Sequence, residues 1–274
     1  MSTLGKKQTG ERYRAAFAPL ILPRSLFFRT RVHAAGPQLP ADLDRGELTT
    51  RLRGFELFAD LPLTALKDVA AHFSVRSYRR GEFLWQWGDP AESVALIDSG
   101  FVKAGRRDRR GVSKTYALFG PGDSLGLFAF YAGMRYPTDA VALNEGLVLM
   151  FTKAVELTRL AAKYPALADK LQGEVTRFTE AFINKIEIIS AGSIAQRLAV
   201  LMMQLIGRYG VAHRSDQAQL PIVLPQELIG EIIGARVETV ARVLAGWKRD
   251  GWIATDAHGC HFHCLDKLRG LLPN

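Results

Sequence analysis

Between Tyr78 and Met150 turn signals interrupt the chain at roughly 8–12-residue spacing. They are Gly81-Glu82, Gly88-Asp89-Pro90, Asp98-Ser99-Gly100, Arg110-Gly111, Gly120-Pro121-Gly122-Asp123 and Asn144-Glu145-Gly146. Glycine reaches backbone conformations closed to other residues, and Asp, Asn and Pro favour tight reversals. A segment punctuated this often has little room for a long helix. Its apolar runs, Val94–Ile97, Thr115–Phe119 and Leu147–Phe151, therefore read as short strands of a compact all-β unit. The basic run Arg106-Arg107-Asp108-Arg109-Arg110 falls at an expected hairpin tip, where charged side chains are solvated.

The pattern differs on both sides of this unit. Order is expected to begin near Gly54-Phe55-Glu56-Leu57-Phe58. A short amphipathic helix follows, with Leu63, Leu66, Val69, Ala70 and Phe73 on its apolar face. After Pro165 the residues Leu167, Leu171, Val175, Phe178, Phe182, Ile186 and Ile189 step by four, four, three, four, four and three. That near-heptad stripe is too narrow for a broad core and predicts a helix that pairs with a second helix. Leu171, Val175, Phe178, Phe182, Ile186 and Ile189 are accordingly assigned to a homodimer interface, though Phe178 and Phe182 facing the β-unit is the alternative. A second helix is expected over Ile194–Tyr209, with Gly210 as its terminating glycine. Val211–Pro221 reads as a polar, flexible loop.

The chain has 274 residues, 48% of them hydrophobic and 23% charged, enough apolar material for two domains with real cores. A chain disordered throughout is excluded, and no apolar run approaches the roughly 20 residues that cross a bilayer. Net charge is +9. Residues 1–40 hold seven basic side chains against Glu11 alone, so most of the excess sits where Pro19, Pro23, Pro37 and Pro40 oppose helix formation. Residues 1–50 read as a disordered basic tail, with a transit peptide or an early start codon as alternatives. Bulk charge is therefore weak evidence for a nucleic-acid partner. Cys260 and Cys264 are the only cysteines, which fits a reducing, cytoplasmic setting.

Residues 224–250 carry the sharpest local signal. Leu224-Pro225-Gln226-Glu227 opens a helix whose buried stripe is Leu228, Ile232 and Ile233; Gly234 breaks it, and Val237, Val240, Val243 and Leu244 define a second. Two short helices joined by a tight turn form a helix-turn-helix. The outer face of the second carries Arg236, Glu238, Thr239 and Arg242, then Lys248 and Arg249. Arginine donates bidentately to guanine and glutamate accepts from cytosine N4. Glu238 and Arg242 are one turn apart, so each can address a neighbouring base pair; the plain alternative is an i,i+4 ion pair on a solvated helix. Trp252-Ile253, a turn at His258-Gly259 and Cys260–Cys264 match a β-hairpin wing.

The ordered part resembles the Crp/Fnr superfamily of bacterial transcription regulators. The resemblance rests on Gly81–Leu84 with Gln86–Ala91, Ile97–Lys103, Phe119–Gly126, Ser193–Ala199 and Gly234–Leu244, in that order. It implies an α+β fold: a cyclic-nucleotide-binding-type β-roll (51–160), a dimerisation helix (161–190) and a winged helix-turn-helix (191–274). By the same resemblance Glu238 and Arg242 read the G·C of a TGA-type core and Thr239 contacts a phosphate, with Arg236 and Gln226 beside them. The family serine is Ala241 here. The implied partners are double-stranded DNA and RNA polymerase.

In the family's cyclic-nucleotide responders a Gly-Glu pair grips the ribose and an arginine grips the phosphate. Here Leu127 follows Gly126, and Tyr136, then Pro137 and Thr138, stand at the arginine position, with Arg135 one residue early. Burying a phosphate without its cation is costly. The effector pocket is thus assigned to Gly126, Leu127, Arg135, Tyr136 and Thr138, with cyclic AMP excluded as its signal and the effector left open. Tyr136–Leu143 is closer to the Fnr branch, but no cysteine precedes Cys260, so four thiolate ligands for an iron–sulfur cluster are impossible in the sensor. A haem- or gas-sensing member would need an axial ligand, and His72 is the only histidine in residues 54–190.

His258, Cys260, His261, His263 and Cys264 invite a metal reading. On a strand His261 and His263 share one face and Cys260, Phe262 and Cys264 the other, so they cannot close one tetrahedral site. No metal and no cofactor are expected. The expected function is a homodimeric, sequence-specific transcription regulator. A cyclic-nucleotide-binding-type module acting on a protein partner is the rival. An enzyme is the weaker rival, since no Gly-rich phosphate loop, HExxH or GxSxG is present.

Overall fold

The structure, a computed structural model, describes residues 44–109 and 111–273, without the side chains of 175–179. Most of the basic tail, Arg110, and the side chains of Val175 and Phe178 therefore lie outside the described residues.

Helix α1 (Arg45–Arg53) starts at Asp44, whose carboxylate accepts from the Gly46 amide. The last residues assigned to a disordered tail are thus ordered. Leu48 and Leu52 are buried beside Phe58, and that burial holds the segment down. A 3₁₀ turn (Glu56–Phe58) and helix α2 (Leu63–Ala70) follow. The β-unit comprises β1 (Ser74–Tyr78), β2 (Phe83–Trp85), β3 (Ser93–Ser99), β4 (Val102–Arg107), β5 (Ser113–Phe119) and β6 (Ser124–Leu125). After the short helix α3 (Leu127–Tyr131) come β7 (Asp139–Ala142) and β8 (Leu147–Lys153).

These strands form two antiparallel sheets, in the orders β1-β8-β3-β6 and β2-β7-β4-β5. Alternation along a strand sends successive side chains to opposite faces. Ala95, Ile97, Leu149 and Phe151 point between the sheets, where they meet Val102, Ala140 and Ala142. Val94, Leu96 and Met150 point outward onto α1, α2 and helix α4 (Ala154–Lys163). Both faces of the first sheet are therefore covered.

Helix α5 (Pro165–Ser190) opens with proline at a first-turn position, where a missing N–H costs nothing. Its stripe divides in two. Leu167 and Leu171 are buried against the helices and sheet of their own chain. Leu171 is therefore corrected from dimer interface to intrachain core: the first turns of α5 pack on α4 and the 3₁₀ turn. Phe182, Ile183, Ile186 and Ile189 are exposed at 53%, 50%, 59% and 44%. Ile183 broadens the stripe beyond the heptad count.

Helix α6 (Ile194–Tyr209) begins with a capping box in which Ser193 and Gln196 satisfy each other's backbone amides. Gly210 ends it, as expected, but in an extended conformation (φ −75°). Glycine is needed because a Cβ would lie 2.5 Å from the Ile206 carbonyl oxygen. The residues expected to form a flexible loop are instead the hairpin β9 (Val211–Arg214) and β10 (Gln217–Leu220). Ala218 and Leu220 are buried, and β10 pairs with a wing strand. Then come α7 (Gln226–Ile233), α8 (Val237–Arg249), the wing strands β11 (Ile253–Asp256) and β12 (Gly259–Phe262), and α9 (Leu265–Arg269). The C-terminal sheet runs β11-β12-β10-β9.

Candidate nucleic-acid interface

The turn between α7 and α8 explains the angle at which α8 is presented. Gly234 caps α7 in the left-handed region (φ +68°), and a Cβ at Gly230 would come 2.8 Å from the Ala235 carbonyl oxygen. Only glycine at both places lets the two helices approach so closely. Behind them Val240 and Trp247 are buried with Leu228, Ile232 and Ile233, and Val243 and Leu244 pack at the edge. Trp247, which the apolar spacing did not include, stacks on Trp252 at 6.0 Å. Lys248 donates to the Thr255 hydroxyl at 2.9 Å, tying the end of α8 to the wing.

The opposite face of α8 is open. Glu238 and Arg242 are exposed and Thr239 is half-exposed. Arg236 is the N-cap of α8, exposed and with extended backbone, so it stands at the positive end of the helix just before its first turn. Gln226 is exposed at the first position of α7. Among the described residues, the side chains of Glu238 and Arg242 make no ion pair or hydrogen bond with each other or with any other group. The geometry does not favour the plain reading of a mutually satisfied surface pair. Instead a carboxylate and a guanidinium stand one turn apart with their hydrogen-bonding capacity unspent.

On the wing, Cys260 and Phe262 are buried while His261 and His263 face outward. His261 pairs with Asp256 at 2.9 Å. Burial lifts the Cys260 thiol to about 11. A thiol held neutral in the wing core is a packing group.

The β-roll pocket is almost filled from within. Tyr136 is 4% exposed, its ring stacks on Trp85 at 4.1 Å, and its hydroxyl donates to the Ser93 carbonyl at 2.7 Å. Burial pushes this phenol up to about 12. Gly126 has φ +89°, and a Cβ there would sit 2.6 Å from the same carbonyl. Gly126, Leu127, Tyr136 and Thr138 all line the cavity. Arg135 does not. It turns away and donates to the Gly88 carbonyl at 2.8 Å, so it is corrected from pocket residue to turn clamp. Glu174 of α5 and Arg208 of α6 complete the wall, neither of which was assigned from sequence. The remaining space is about 70 Å³, well under the roughly 300 Å³ at which ligand pockets begin.

A β-roll of the cyclic-nucleotide-binding kind, joined by a long helix to a winged helix-turn-helix with an open second helix, defines a two-domain DNA-binding regulator. Residues 75–164 match the cyclic nucleotide-binding domain family and residues 196–271 the Crp-like helix-turn-helix domain family. The chain belongs to the Crp/Fnr superfamily of transcription regulators. It is 28% identical over 198 residues to the transcriptional activator protein anr of Pseudomonas aeruginosa, covering 70% of this chain and 77% of the relative. It is 25% identical over 202 residues to the CRP-like cAMP-activated global transcriptional regulator of Mycobacterium tuberculosis, covering 72% and 87%. FixK2 from Bradyrhizobium japonicum shares the fold with a TM-score of 0.65 at 21% identity, covering 74% of this chain and 98% of that one. Among the described residues no helix is long and apolar enough to cross a membrane.

Proposed function

We propose that this regulator acts as a homodimer on a palindromic, TGA-type DNA site, reading it with Glu238 and Arg242 and responding to a signal other than cyclic AMP. The observation that carries the reading is the open face of α8: both side chains are exposed and unpaired on a helix whose other face is anchored by Val240 and Trp247. Thr239, Arg236 and Gln226 flank them and suit phosphate contacts, which set register on the duplex. Phe182, Ile183, Ile186 and Ile189 supply an apolar surface that a second copy covers, and a two-fold dimer matches a two-fold site with half-sites one turn apart. RNA polymerase in the cytoplasm is the further partner in this reading, and no catalytic step is assigned to the chain.

The relative named as cAMP-activated gives the contrast for the effector. Here Leu127 and Tyr136 occupy the pocket, and Arg135 is turned out of it. The haem reading finds no support at His72, which lies on the surface with Glu156 at 3.5 Å and Arg159 beside its other ring nitrogen. The rival of a module acting only through a protein partner leaves the open face of α8 without a purpose.

Sedimentation of the protein with a full palindrome and with a single half-site tests the reading. Two copies per palindrome and weak half-site binding are expected; one copy bound equally to both contradicts it. Isothermal titration with cyclic AMP is expected to show no heat at micromolar ligand, and a saturable micromolar isotherm would overturn the effector assignment.

A further inference from the structure

Three elements from different parts of the chain meet at Lys185 of α5. Its Nζ donates to the Thr115 carbonyl of β5 at 2.9 Å, and also to the Ile232 carbonyl in the last turn of α7. Helix ends leave carbonyls unsatisfied and carry partial negative charge, so an ammonium is well matched there. Thr115 is 1% exposed, and its hydroxyl donates to the Glu231 carboxylate of α7 at 2.5 Å. Lys103 of β4 lies 3.8 Å from the same carboxylate. Arg197 of α6 reaches the neighbouring Ile233 carbonyl at 3.3 Å. Lys185 is half-buried and has no carboxylate hydrogen-bonded to it among the described residues. Keeping a charged side chain half out of water is costly, and the hydrogen bonds to two carbonyls in two domains offset that cost only while both stay in place.

We propose that Lys185 is a positioning residue that fixes the helix-turn-helix to the β-roll of its own protomer, joining β5 to the end of α7. Losing its ammonium frees the α7–α8 pair to reorient. The significance for DNA reading rests on the function proposed above, but the docking itself does not. The charged and titratable groups facing this point are Lys103 from β4, Glu231 from α7 and Arg197 from α6, with the Thr115 hydroxyl from β5.

Burial draws the Lys185 ammonium down from its ordinary 10.5 to about 8, opposed by Glu231. The two carbonyl hydrogen bonds offset that burial only in the docked arrangement.

Hydrogen exchange on the full-length protein without DNA tests this. In Lys185→Met, protection of residues 113–119 and 226–233 is expected to fall about tenfold, while the β3–β8 core keeps its protection. Thr115→Val, which keeps the ammonium and removes the hydroxyl–carboxylate bond, provides a second variant and lowers protection in the same two segments. Unchanged protection there, or a loss spread evenly over the chain, overturns the proposal. Because no DNA is present, these outcomes stand apart from success or failure in reading a site.

Discussion

Arg242 and Glu238 illustrate what single residues contribute. A guanidinium able to make two parallel hydrogen bonds discriminates a base pair, whereas a lysine near a phosphate adds affinity without preference. Arg242→Ala is expected to cost about 1–3 kcal/mol on the cognate site and to leave non-specific binding nearly unchanged. Fluorescence anisotropy on cognate and scrambled duplexes at one salt concentration checks it, and equal losses on both would remove the base-reading role. The residue types and their spacing made this face legible before any coordinates. Arg135 was not legible in the same way. Sequence places it beside the pocket, but the direction of its side chain depends on Gly88 across the turn, a contact 47 residues away.

Elements were readable where one periodicity dominates, and misread where two surfaces share one helix. The seam of α5 is a single row of apolar residues, yet Leu167 and Leu171 serve the chain's own core while Phe182, Ile186 and Ile189 face outward. A count of steps cannot show which turns of the helix the chain's own core covers. The two halves should therefore respond differently to substitution. Ile186→Asp is expected to shift the protein towards monomer in analytical ultracentrifugation, with little change in the thermal midpoint of the β-roll. Leu171→Ala is expected to destabilise the fold by about 2–5 kcal/mol in denaturant, through the cavity it leaves, without favouring monomer. A reversed pattern would return Leu171 to the interface. The hairpin Val211–Leu220 was hidden for another reason. Its four exposed β9 residues lack alternation, and its stability derives from β12, some 40 residues on.

For the whole molecule, the order of β-roll, long helix and helix-turn-helix was legible because each part obeys its own local grammar. How the parts dock was not. The contacts that join them, Lys185 with Thr115 and Ile232, and Asp123 with Arg208 and Tyr209, link residues 47 to 86 positions apart. Asp123 is buried and accepts from the Gly120 amide as well as from both α6 side chains. Arg208 also lines the filled pocket, so this cluster and Lys185 lie on the physical route between β-roll and reading head.

The central claim is that two α8 helices read one symmetric site. Selection of bound sequences from a random duplex library, at a fixed salt concentration, tests it most directly. An inverted repeat with TGA-type half-sites about one helical turn apart is expected to be enriched. Enrichment of a single unrepeated motif, or of none, would contradict it.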